Sequence, residues 1–392
     1  MKSITILGGG IAGLTTAIAL RRIGIASTVF EAAPEIRPVG AGLGLGANAI
    51  QAFKALGLRD ELVARGRALN ALSILDARGK VISRTQSASS TGNDTYAIHR
   101  AELQDLLLSH LAPGTLQLGK RAERITTKDD HVVVHFSDGT ERPTGHVIAA
   151  DGIGSMIRRS LVPGSEPRYA GYTCWRGVVD APDLPLHEAV EIWGTRGRIG
   201  VVPLTHDRIY WFATITGPPK DAHLASYTVK DLQAHFGNYH DPVRSVLSRA
   251  TDAGLIHGDI HDLDPLPHYA FGRVLLIGDA AHGTTPNLGQ GACQAIEDAV
   301  VLAHMVQAHS DPQQAFVAFE RARMERTRWI TRTSRRIGVV AEWKNPVLTM
   351  LRDTLFRLMP PSVNQRQMNK VLNVRLEALP EIPSHGPGSF RS

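Results

Sequence analysis

The sequence predicts an α/β fold: a doubly wound parallel sheet, an antiparallel sheet inserted into it, and helices toward the C-terminal end. Three observations carry this. Strand and helix patterns alternate over residues 1–70. Between Tyr169 and Ile215 the texture turns to spaced aromatic and β-branched residues. From Gly291 onward helical periodicity dominates.

The first element is the apolar run Ile4 to Leu7, which reads as a buried parallel strand. Gly8, Gly10 and Gly13 follow on the spacing G-x-G-x-x-G, then an Ala-rich helix pattern from Leu14 to Arg22. A second apolar run, Ser27 to Phe30, delivers Glu31. Each part has a physical task. Gly8 permits a tight turn, Gly10 lets backbone approach a pyrophosphate, and Gly13 lets the helix lie close on the strand. The helix N-terminus meets phosphates, and Glu31 accepts from a ribose hydroxyl. A bland glycine-rich turn would not need the strand, the helix and the acid together. Dinucleotide binding on a Rossmann-like unit is the expectation.

Gly40 to Gly46 is a second glycine-dense loop, leading into a helix from about Ala47 to Leu56 that ends at Gly57. Leu72 to Leu75 and Val81 to Arg84 flank Asp76-Ala-Arg-Gly79 as a hairpin, and Ser87 to Asp94 reads as an exposed loop. A helix follows from about Arg100 to Leu111, then a hairpin around Ser137-Asp-Gly139. Val147 to Ala150 is a buried strand running into Asp151. Tyr172, Trp175, Val178, Ile192, Val201, Tyr210 and Phe212 mark the inserted sheet, and Val274 to Ile277 returns to the buried parallel pattern.

At 392 residues the chain can bury a large core, and domain-size priors suggest two domains. Its 43% hydrophobic and 20% charged residues suit a globular protein. The net charge of +6 raises nucleic acid as a partner. However, Lys and Arg are scattered, and the densest cluster, Arg321 to Arg336, has the spacing of a solvated helix face. Cys174 and Cys293 have no metal-type spacing, so no zinc site or disulfide framework is expected. The N-terminus does not read as a signal peptide. No run is long and apolar enough for a transmembrane helix, so a reducing, cytoplasmic setting is expected.

Two further constellations follow buried strands. In Asp151-Gly-Ile-Gly-Ser155-Met-Ile-Arg158 the acid can hold cofactor hydroxyls, and Arg158 can approach a phosphate. The same residues also read as a capped helix start, with Ser155 as N-cap and Arg158 on the surface. Gly278-Asp279-Ala-Ala-His282 is followed by Pro286-Asn-Leu-Gly-Gln-Gly291 and a helix from about Ala292 to Gln307. Asp279 can bond polyol hydroxyls at a strand's C-terminal end. Gly289 and Gly291 leave helix amides open to negative charge. His282 reads as loop packing or a hydrogen-bonding residue rather than a base.

The three motifs, in this order, resemble the single-component FAD-dependent aromatic hydroxylases of the para-hydroxybenzoate hydroxylase type, over roughly residues 1–340. The resemblance implies FAD as cofactor, NADH or NADPH as transient co-substrate, and O2. It implies hydroxylation of an electron-rich aromatic or heteroaromatic small molecule through a C4a-hydroperoxyflavin. It places the FAD-binding domain at 1–70, 96–168 and 263–340, and the substrate domain at 71–95 and 169–262. A helical segment (341–379) and a tail (380–392) follow. Carried over by position, Glu31 holds the adenosine ribose and Asp151 serves FAD and the nicotinamide coenzyme. Arg37 and Arg100 lie along FAD, although Arg37 also reads as a solvated loop residue. Asp279 meets the ribityl chain, Leu288, Gly289 and Gly291 lie against the pyrimidine edge, and Pro286 lies on its substrate side.

Arg168 to Gly177 and Thr284 to Gly291 are most similar to the urate hydroxylase and salicylate hydroxylase-like branch. Arg198 and Tyr210 match, by spacing, substrate positions of the urate hydroxylases, while Asn287 departs from their Pro-Asp-Ile-Gly-Gln. Urate hydroxylation, or an epoxidase or oxidase on the same scaffold, is the alternative. A non-catalytic flavin sensor and a dimeric interaction protein acting through Arg321 to Arg336 are the others. The apolar stripe in Pro346 to Met359 reads as a helix docked on the domain, or else as a membrane-facing surface. Monomer and homodimer both stay open.

Overall fold

The computed structural model describes residues 4–37, 40–87 and 94–380. Most of the loop expected at Ser87 to Asp94, and nearly all of the expected tail, lie outside the described residues. The parallel sheet has six strands in the spatial order Ala270–Phe271, Val274–Leu276, His146–Ala149, Ile4–Leu7, Ser27–Phe30, Leu116–Gln117. Pairing is parallel from Val274–Leu276 across to Leu116–Gln117, and only the Ala270–Phe271 edge runs antiparallel. All four residues of Ile4–Leu7 are buried, because this sheet is covered on both faces.

This topology has one consequence for function. Ile4–Leu7, Ser27–Phe30, His146–Ala149 and Val274–Leu276 are neighbours, and each ends at the same edge of the sheet. They release Gly8, Glu31, Asp151 and Asp279 there. Gly8 turns at φ +104°, and a Cβ on it would lie 2.4 Å from the Ala150 carbonyl oxygen. A Cβ on Gly13 would lie 1.9 Å from the Gly8 carbonyl oxygen. Helix Ile11–Arg22 can therefore rest on the strand only because that position is bare.

The inserted sheet has seven strands, in the order Ile256–Asp262, Arg168–Asp180, Arg208–Thr216, Gly197–Pro203, Ala189–Gly194, Ala71–Asp76, Val81–Gln86. It is antiparallel apart from one parallel pair, Ala189–Gly194 with Ala71–Asp76, where the expected hairpin joins. Strand alternation splits its residues cleanly. Trp175, Ile192, Ile199, Val201, Trp211 and Ala213 face a core completed by Leu232 and Phe236 of helix Val229–Phe236 and Val243 and Val246 of helix Val243–Leu247. Their alternates, among them Cys174, Arg176, Arg198, Tyr210 and Phe212, line a cavity against the parallel sheet.

Two expectations for the C-terminal helices fail. The basic cluster of helix Pro312–Ala341 is not simply a solvated face. Arg323 is 2% exposed, with Nη1 2.6 Å from Glu297 Oε2 and Nε 2.7 Å from Asp298 Oδ1, while Arg335 meets Asp262 at 2.7 Å. Those acids are remote in sequence, so spacing within the helix could not reveal them. Helix Pro346–Leu358 docks by its polar side. Arg352 lies 5.0 Å over the Trp193 ring and donates to the Ala341 carbonyl at 2.9 Å, so the apolar stripe turns outward.

Candidate active site

The cavity encloses about 1140 Å³ between the C-terminal edge of the parallel sheet and the alternate face of the seven-stranded sheet. That exceeds the usual range of roughly 300–1,000 Å³ for small-ligand pockets. Gly10, Glu31, Arg37, Arg100, Asp279, Pro286, Gly289 and Gly291 line one side, and Arg198 and Tyr210 the other. Gly8, Gly13, Asp151 and Leu288 stand outside the lining.

At the dinucleotide end, Glu31 is held by backbone: its Oε2 accepts from Gly9 N at 2.6 Å and its Oε1 from Ala33 N at 2.8 Å. A Cβ on Gly10 would meet no atom within 4 Å, so backbone there borders open cavity. Arg37 pairs with Glu35 at 2.6 Å on an exposed loop, a contact worth little on its own. Arg100 opens helix Arg100–Ser109, whose N-cap His99 accepts from Ala101 N at 3.2 Å. Asp279 lines the cavity, and its side chain is open to it. Burial raises its carboxyl above the usual range, with His282 and Arg100 opposing, and no described residue hydrogen-bonds the carboxylate. Burial likewise raises Asp151, against a hydrogen bond from Ser155, and its Oδ1 has no partner. A polyol nucleotide suits this wall: bare backbone at Gly10 for a phosphate, and the Asp279 carboxylate, with no described hydrogen-bond partner, for hydroxyls.

Ser155 does cap the next helix, accepting from Arg158 N at 2.9 Å. Arg158, however, is neither on the surface nor on the cavity wall. It is fully buried and donates to Ser165 O at 3.1 Å and Ala280 O at 3.5 Å, stapling the Asp151 segment to the one after Asp279. Behind that segment His282 Nε2 lies 2.7 Å from Asp298 Oδ2, which also accepts from Gly278 N at 2.9 Å. Burial pushes Asp298 up, but His282 and Arg323 outweigh it and hold the carboxyl at about 2. His282 is thus engaged in supporting the loop, as its position suggested.

At the other end, Arg198 is 3% exposed and already matched. Its Nε donates to Glu342 Oε1 at 2.7 Å, its Nη1 to Glu191 Oε1 at 2.9 Å, and its guanidinium sits 5.2 Å over the Tyr172 ring. Thr214 and Thr216 also donate to Glu342, at 2.7 and 3.1 Å. Burial raises the Tyr210 phenol, reinforced by Cys174 and opposed by Arg176, so it stays protonated. Asn287 accepts from the Tyr172 hydroxyl at 3.2 Å and donates to Thr285 Oγ1 and Ser334 O at 2.9 Å, anchoring the Pro286–Leu288 turn to the long helix.

Arg176 is the residue the sequence reading passed over. It lines the cavity half-buried beside Cys174 and Tyr210, and no described carboxylate pairs with it. A signal existed, because Tyr172, Cys174 and Arg176 alternate on one strand. Glu342, 144 residues from Arg198 in the chain, had none.

A bare-glycine cradle facing a polar-lined sheet defines a dinucleotide-binding protein with a chamber for a small substrate beside the nucleotide. Comparison with known proteins agrees. The family model for the FAD binding domain matches residues 1–334. The aurachin C monooxygenase/isomerase of Stigmatella aurantiaca is 37% identical over 361 residues, 91% of this chain and 94% of that protein. The 2-heptyl-3-hydroxy-4(1H)-quinolone synthase of Pseudomonas aeruginosa is 34% identical over 370 residues, 93% of this chain and 96% of that one. The crystal structure of Klebsiella pneumoniae HpxO complexed with FAD and uric acid superposes with a TM-score of 0.87 at 30% identity, covering 94% of this chain and 96% of that one. The chain belongs to the FAD-binding-domain family of aromatic hydroxylases and is an FAD-dependent monooxygenase.

Proposed function

We propose that the enzyme uses NAD(P)H and O2 to hydroxylate an electron-rich aromatic or heteroaromatic ring carrying an ionisable oxygen, and that Arg176 receives that oxygen. The observation behind this is the charge balance of the chamber. Arg198 is neutralised by Glu191 and Glu342, whereas Arg176 has no matching carboxylate. A cation beside a ring hydroxyl favours its ionised form, which enriches the ring for attack.

Bound FAD supplies the redox chemistry, taking a hydride from NAD(P)H and activating O2. Glu31, pinned by two amides, accepts from the adenosine ribose. Backbone at Gly10 admits the pyrophosphate, helped by the bare packing at Gly8 and Gly13. Asp279 accepts from the ribityl hydroxyls, Asp151 lies behind the same cradle, and Arg100 and Arg37 lie along the nucleotide. Leu288, Gly289 and Gly291 would lie against the pyrimidine edge of a bound flavin, where the dipole of the 18-residue helix Gly291–Ala308 would favour negative charge. Pro286 and the protonated Tyr210 face the substrate, Tyr210 as a donor. Arg198 holds the wall through Glu342. Segments 1–70, 96–168 and 263–340 thus serve the cofactor, and 71–95 and 169–262 the substrate. The buried, unpaired Cys174 and Cys293 suit the reducing cytoplasm.

Urate hydroxylation is the second reading, favoured by the likeness to HpxO. The test is a panel of phenols, salicylates, purines and 4-quinolones, scoring NAD(P)H consumption against peroxide release. Tight coupling with a hydroxylated ring and none with urate supports the first reading. Coupling with urate alone supports the second, and NAD(P)H oxidation yielding only peroxide throughout refutes both.

A further inference from the structure

We propose that the outward face of helix Pro346–Leu358 docks the enzyme on an anionic bilayer surface. Val347 and Met350 are each 65% exposed, Leu355 57% and Leu358 74%, with Leu348 and Leu351 beside them. A folded chain hides such residues when it can, and here the helix has its other face inside. Thr349, Arg352 and Asp353 are buried, and Arg357 bonds Asp76 at 2.7 Å and the Val81 carbonyl at 3.0 Å. Val81, itself 49% exposed, extends the patch onto the edge of the seven-stranded sheet. The helix is therefore fixed by its polar side with its apolar side offered outward, an arrangement that local packing does not explain.

Charge identifies the occupant. Between Arg326 and Leu376 the only acidic residues are Glu342 and Asp353. Both turn inward, to Arg198 and Arg352 respectively. The exposed charges of this segment are all basic: Arg332, Arg336, Lys344, Arg366, Lys370 and Arg375. An apolar helix face in a stretch of chain whose exposed charges are all basic, with Lys344 just before the helix, fits acyl chains beneath anionic headgroups. A protein partner would want polar groups to set its register, and the exposed face offers only Thr354, whose hydroxyl already donates to Met350 O at 2.8 Å. At 13 residues the helix spans roughly 20 Å, which suits lying in the interface rather than crossing it. No helix among the described residues is long and apolar enough to cross a membrane.

The test is flotation of the FAD-loaded full chain with vesicles of phosphatidylcholine alone or with phosphatidylglycerol, read by flavin absorbance. The expected result is flotation with anionic vesicles, at least about tenfold weaker on neutral ones and in high salt. The Leu351→Ser, Leu355→Ser double variant, whose sites lie outside the cavity, should keep its flavin and lose about tenfold or more in binding. Wild type that stays at the bottom with both vesicles overturns the proposal. So does a double variant that floats like wild type. If sedimentation instead shows a dimer that the double variant breaks, the face joins two copies and the proposal falls.

Discussion

Replacing Arg176 by Gln removes a cation on the substrate-side wall of the cavity that no described carboxylate pairs with. An ionised ring oxygen about 4 Å from a guanidinium gains roughly 4 kcal/mol at an effective dielectric near 20. Arg176 is half-buried, and solvent screening reduces that to about 1–3 kcal/mol. The loss corresponds to a fall of roughly tenfold to a hundredfold in kcat/KM for a substrate with an ionisable hydroxyl. The sign of the pH effect follows. The cation lowers the pKa of the ring hydroxyl, so its removal raises that pKa. The acid limb of the kcat profile, which reports groups in the enzyme–substrate complex, should then move up by about one to two pH units. Arg176→Lys should restore much of the rate, and flavin content should be unchanged in both variants. Steady-state kinetics from pH 5.5 to 9 decide the matter. An Arg176→Gln enzyme within twofold of wild type, with its acid limb unmoved, would show that the cation does not act on the substrate.

Other perturbations separate the cofactor cradle from its support. Gly13→Ala places a methyl 1.9 Å from the Gly8 carbonyl oxygen and should displace the helix, costing FAD affinity and stability together. Gly10→Ala meets nothing within the protein and should leave the melting temperature of the apoprotein unchanged while weakening FAD at least about tenfold in a fluorescence titration. Arg323→Leu strips Glu297 and Asp298 of a buried partner and should cost about 3–5 kcal/mol in chemical denaturation. Asp298 is held at about 2, below its unfolded value, so its contribution is complete above roughly pH 4–5 and is lost as pH falls toward 2. Denaturation midpoints of wild type should therefore drop between pH 5 and pH 2.5, and those of Asp298→Asn should drop less.

What the sequence made legible was whatever depends on neighbours in the chain. Gly8, Gly10, Gly13 and Glu31 each perform local geometry, and strand-helix alternation with the acids at strand ends is enough to place Asp151 and Asp279 at one sheet edge. Arg198 and Tyr210 were singled out by their resemblance to substrate positions of the urate hydroxylases, and both lie on the cavity wall. Their electrostatics were not legible. Arg198 is matched by Glu342, which arrives from the end of a helix packed across the sheet, and Arg323 is matched by acids of another helix. Arg158 illustrates the same limit: its D-G-x-x-S-x-x-R spacing fits a phosphate site or a surface helix, and the Ala280 and Ser165 carbonyls that bury it lie outside that motif. The stripe in Pro346–Leu358 was visible, but amphipathicity does not say which face turns inward. Trp193 and the Ala341 carbonyl, by taking Arg352, decide that.

A crystal structure of the FAD complex bears most directly on whether four adjacent strand ends build one cradle beneath a substrate chamber. It should place the adenosine ribose on Glu31, the ribityl hydroxyls on Asp279, and the isoalloxazine between the Pro286–Gly291 turn and the wall carrying Arg176 and Tyr210. A flavin ring lodged away from that wall, or an adenosine out of reach of Glu31, would contradict it.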